Sequence, residues 1–71
     1  MHIGEEIKKT LEEQGKTVVW FAQKLSCHRT NVYKIFSKSS IDTRELERIS
    51  KILDTDFFAL YSQQMDNSPK V

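Results

Sequence analysis

Apolar residues return along this chain at intervals of three and four. Ile3, Ile7 and Leu11 stand four apart among Glu5, Glu6, Lys8, Lys9, Glu12 and Glu13, which predicts an amphipathic helix over 3–14. Gly15 follows, where a left-handed stop residue belongs. Thr17 suits an N-cap, and Phe21, Ala22 and Leu25 then fall on one side of a second helix over 18–25. The β-branched pair Val18 and Val19 hints at a strand, but the alternation stops at once. Ser26, Cys27 and His28 interrupt the pattern. Val32, Ile35 and Phe36 turn inward on a third helix over 28–37, leaving Arg29, Thr30, Tyr33 and Lys34 outward. After a polar loop, Asp42 and Glu45 have the spacing of a capping box, and Leu46, Ile49, Ile52 and Leu53 form the cleanest apolar face in the chain. Asp56 can cap a short fifth helix over 57–61. From 63 to 71 the chain is polar, contains Pro69 and has no period, so a flexible tail is expected after a domain spanning 1–62.

Composition agrees with this pattern. A chain of 71 residues is one domain, near the lower limit for a self-sufficient core. Hydrophobic residues make up 38% and charged residues 30%, too apolar for disorder, while two Gly and one Pro are too few for a turn-rich barrel or sandwich. The expected fold class is therefore all-α, a compact bundle of five short helices. Cys27 is the one cysteine, so no internal disulfide can form, which fits a reducing compartment. No secretory leader or membrane span is visible, and a cytoplasmic location is expected.

Several kinds of chemistry find no support. Cys27, His2 and His28 match no metal-ligand spacing, and Cys27 reads as a buried structural thiol. There is no Gly-rich phosphate loop, nucleophile elbow or paired-acid motif, and a thin helical core leaves little room for a pocket. Neither an enzyme, a cofactor, a metal nor a small-molecule ligand is expected.

Charge changes the picture more. The net charge is only +1, yet residues 16–41 hold five basic residues (Lys16, Lys24, Arg29, Lys34, Lys38) and no acidic one. The remainder holds six basic and ten acidic residues, so the surface is polarised. The positive segment covers the second and third helices, which are joined by about three residues. That connection is typical of a helix-turn-helix, in which the first helix crosses the phosphate backbone and the second enters the major groove.

In order, the chain carries Ile3-Gly4, Ile7-Lys8 and Gly15, then Thr17, Phe21-Ala22 and Leu25, then Val32 and Ile35. Asp42, Leu46, Ile49 and Leu53 follow, and finally Asp56, Phe57 and Leu60. This set resembles the Cro/phage-repressor (lambda-repressor-like, XRE) family of bacterial and phage regulators over residues 3–61. The resemblance implies sequence-specific binding of double-stranded DNA by a small, repressor-like transcriptional regulator. It implies base reading by Arg29, Thr30 and Lys34, for which arginine and lysine on guanine and threonine on thymine are suitable chemistry. It implies backbone contacts from Lys16, Lys24, His28, Asn31, Tyr33, Lys38, Ser39 and Ser40. Two half-sites would be occupied by a homodimer, for which Phe57, Phe58 and Tyr61 are the candidate contacts.

The chain departs from the family in places. Val18 stands where a phosphate-binding Gln is usual, Ser26 where the turn has Gly, and Phe36 where Glu is common. Trp20 either packs against the first helix or belongs to an exposed apolar patch with Val18 and Val19. The rival reading is a protein-interaction module that uses the surfaces around Val18–Trp20 and Phe57–Tyr61.

Overall fold

The computed structural model describes residues 1–66, and these form five helices with no strand among them. They are α1 (Ile3–Glu13), α2 (Val18–Leu25), α3 (Arg29–Phe36), α4 (Thr43–Ile52) and α5 (Phe58–Asp66). The expected all-helical architecture is present. The first four helices lie within one or two residues of their expected bounds, with His28 and Ser37 flanking α3 as caps.

The fifth helix is longer than its apolar pattern suggests and continues to Asp66. Ser62, Gln63, Gln64 and Met65 have no apolar period, but none of them stops a helix. The expected tail over 63–71 therefore begins inside α5, and residues 67–71 lie outside the described chain.

Four of the five described helices start at a side-chain cap. Side chains of His2, Thr17 and Asp42 accept hydrogen bonds from the third helical N–H of α1, α2 and α4, at Glu5, Trp20 and Glu45. These bonds satisfy donors that have no partner within the helix. Asp56 accepts from Phe58 and Ala59 at the start of α5. Three helices end alike. Gly15, Ser26 and Asp54 adopt left-handed backbone, with φ of 68°, 54° and 49°. The next residue's N–H then returns to a carbonyl five positions back: Lys16 to Leu11, Cys27 to Ala22, Thr55 to Ser50. Only the first of these stops is glycine. Ser26 thus keeps the usual turn and accepts the less comfortable backbone.

The core draws on the first four helices: Ile3, Ile7 and Leu11 from α1, Phe21, Ala22 and Leu25 from α2, Val32 and Ile35 from α3, and Leu46 and Ile49 from α4. Leu53 and Phe57, from the segment between α4 and α5, complete it. Burying one such aliphatic or aromatic side chain contributes about 1.5–3 kcal/mol. Among the described residues, no polar or charged side chain is buried. Cys27, expected to be enclosed, is half-buried and packs on the edge of the core.

Polar ties hold the ends of the helices together. The N–H groups of Gly4 and Ile3 donate to the carbonyls of Lys38 and Ser39, at 2.9 and 3.3 Å, just beyond α3. Gly4 permits this approach, because a Cβ there would collide with the carbonyl oxygens of Ile35 and Phe36. Gln14 donates to the Leu53 carbonyl at 2.6 Å, and Arg48 to the Leu25 carbonyl at 2.8 Å. Each satisfies a carbonyl at a helix end from a different helix.

Candidate functional site

α3 is held from beneath on both sides. Val32 is fully buried and Ile35 nearly so, and the helix packs on α1 and α2. Its N-terminus is set by the left-handed Ser26 turn, which Arg48 braces through Leu25. Its C-terminus rests on Gly4. The inward stripe leaves Arg29, Thr30, Tyr33 and Lys34 exposed, as the spacing predicts, and Asn31 is exposed beside them.

Arg29, Thr30, Asn31 and Lys34 make no side-chain hydrogen bond or ion pair within the described chain. Asn31 and Lys34 border a cleft that also takes in Lys38 and Arg48. Tyr33 stands edge-on to Phe36, with ring centroids 6.3 Å apart, so it is a braced aromatic ring on the outer surface. His28 occupies the N-cap of α3 but makes no capping bond. The first turn of α3 tightens instead: the Asn31 N–H bonds the His28 carbonyl, three residues back. α1, α2 and α4 open with bonds to a carbonyl four residues back, from Glu6, Phe21 and Leu46.

The flanking residues fall in two groups. Lys38, Ser39 and Ser40 are exposed after α3, and Lys38 lies 3.9 Å from Glu45. Lys16 and Lys24 lie on the other side of the turn, and both ammonium groups approach Trp20, at 4.9 and 5.9 Å from the ring centroid. Trp20 is half-buried, Val18 is half-buried, and only Val19 of that trio is half exposed to solvent. Lys24 over Trp20 was legible in principle, since the two stand four apart within α2, whereas Lys16 precedes the cap of that helix. The long-range bonds of Gln14 and Arg48 carry no such signal.

The aromatic C-terminal segment divides. Phe57 is fully enclosed in the monomer, which corrects its assignment as a contact between copies. It follows Asp56 directly and points into the core before α5 begins. Phe58 is exposed, Tyr61 is half-buried, and with Ile41 and Leu46 they line a shallow apolar groove.

The chemistry on offer is that of a surface: hydrogen-bond donors, fixed positive charge and one apolar groove. Among the described residues, no three His, Cys, Asp or Glu side chains gather as a metal site would need. No described helix is long and apolar enough to cross a membrane. Compared with family models, curated proteins and solved structures, the chain has no match.

Proposed function

We propose that this chain is a helix-turn-helix protein of the Cro/phage-repressor kind, which binds double-stranded DNA in the major groove and regulates transcription. The observation that carries this reading is the outer face of α3, where four hydrogen-bonding side chains have no partner among the described residues. The helix bearing them is fixed at both ends. An α-helix with its side chains is about 10–12 Å across, and the major groove is about 12 Å wide. Arg29 and Lys34 have the donors to read guanine, and Thr30 has a hydroxyl and a methyl for neighbouring bases. The turn between α2 and α3, 26–28, is of the length such motifs use. A homodimer fits this role, with Phe58 and Tyr61 as its contacts, and the role belongs in the cytoplasm.

Selection from random duplex DNA tests the reading. The wild type is expected to enrich one sequence. Arg29→Ala and Lys34→Ala are each expected to relax one position of it, at about 1–3 kcal/mol per lost bidentate contact. Enrichment unchanged by both substitutions would remove these two residues from base reading. A wild type that enriches nothing would instead favour the interaction-module reading, for which the groove of Ile41, Leu46, Phe58 and Tyr61 is the available surface. Binding there would respond little to salt, whereas DNA binding weakens steeply with it.

A further inference from the structure

Trp20 packs on the edge of the core, and the two cations over its ring form an arrangement that base reading does not use. Lys16 precedes the Thr17 cap, Trp20 lies in the first turn of α2, and Lys24 lies in its last. Both ammonium groups stand within about 6 Å of one indole centroid, the distance at which a cation is attracted by the ring face. Among the described residues, neither lysine meets a carboxylate within ion-pair distance. Two like charges are thus gathered on one ring with no counter-charge. The ring quadrupole offsets part of their repulsion, and an anion would relieve the rest.

We propose that Lys16, Trp20 and Lys24 form a phosphate clamp, in which the indole positions two ammonium groups on one strand of a DNA duplex. The proposal rests on the reading of the chain as a duplex-binding protein. Sharing one ring holds the two charges no more than about 11 Å apart. Charges along one strand recur about every 3.4 Å of helix axis, so a pair this close can meet neighbouring phosphates of one strand. The clamp lies on a different face of α2 from the one that meets α3. Val19 and Gln23 line a groove with His28 and Arg29, and Trp20 and Lys24 each follow one of them, about 100° further round α2. Lys16 and Lys24 are the phosphate contacts, and Trp20 is a positioning residue that acts through them.

The test measures binding of a fluorescently labelled mixed-sequence duplex by anisotropy over a range of salt. The double variant Lys16→Met, Lys24→Met alters only exposed residues. It should weaken binding about tenfold or more at moderate salt, alike for all sequences. The slope of log affinity against log salt should become shallower by about 2, one unit for each phosphate no longer neutralised. Trp20→Leu should also flatten the slope, and Trp20→Phe, which keeps a ring, should retain it. Trp20 is the one tryptophan, so its emission in the wild type should change when duplex is added. If the double lysine variant binds duplex with the wild-type slope, the clamp is overturned and the proposed function stands. If Trp20→Leu is folded by circular dichroism and keeps the slope, the positioning role is overturned. If the wild type binds no duplex at any salt concentration, clamp and proposed function fail together.

Discussion

α3 and α4 are of similar length and bury their apolar residues at the same spacing, but they use their outer faces differently. α4 turns its polar residues back onto the protein. Asp42 caps it, Lys51 pairs with Glu47 at 3.0 Å, Glu45 approaches Lys38, and Arg48 reaches Leu25. α3 has no side-chain cap, no acidic residue in its first turn and, among the described residues, no partner for Arg29, Thr30, Asn31 or Lys34. One helix is a strut, and the other is carried. In a small domain, hydrogen-bonding side chains left without partners on a rigid helix are suited to an external partner.

The contrast depends on α3 being firmly seated, and Gly4 is where that seat can be broken most sharply. Gly4→Ala sets a methyl group against the carbonyl oxygens of Ile35 and Phe36, which cannot swing aside as a flexible side chain would. α1 must lift and strain its bonds to Lys38 and Ser39. A loss of about 3 kcal/mol is expected in urea denaturation, or a fall of roughly 12–24 °C in Tm. Gly15→Ala is the control. It meets open space and bears only the left-handed backbone penalty, about 1–2 kcal/mol. Equal losses at the two glycines would mean that α3 is seated no more tightly than an ordinary turn.

A smaller effect sharpens the contrast directly. Asp42→Ala removes the cap of α4 and should cost about 1 kcal/mol. Arg29→Ala and Lys34→Ala remove exposed side chains with no internal bond, and should each stay within about 0.5 kcal/mol of wild type. If the α3 substitutions cost as much as the α4 cap, the outer face of α3 supports the fold and is not free for a partner.

Legibility followed the range of the interaction. Caps at Thr17, Asp42 and Asp56 and the stop at Gly15 are local, and each was readable from the residues themselves. The outward set on α3 follows from the spacing of Val32, Ile35 and Phe36, although Phe36 is only half-buried. Contacts between distant residues were not readable. Nothing near Gly4 shows that α3 ends against it, and nothing near Arg48 points to Leu25. Phe57 and Phe58 are neighbours of one chemical type, and only the packed chain puts one inside and the other at the surface. Asp54 and Ser26 take the backbone usually given to glycine, so composition hid two of three similar helix stops.

A small gain in stability isolates the missing cap of α3. His2 and His28 both stand at helix N-caps in extended backbone, yet His2 accepts a bond from Glu5 and His28 accepts none. His28→Ser supplies a short oxygen that can reach the Asn31 N–H, as Thr17 reaches Trp20. It should gain about 0.5–1 kcal/mol, the lower part of the usual range, because the tightened first turn already gives that N–H a carbonyl. His28→Asp should gain at least as much, since an acidic cap also suits the positive end of the helix. It also sets a negative charge beside Arg29. The two variants should therefore agree in urea denaturation and part in duplex binding, the aspartate weakening it more than the serine. If both variants are stabilised and bind duplex alike, no phosphate lies near the start of α3, and the helix is not docked by its N-terminus.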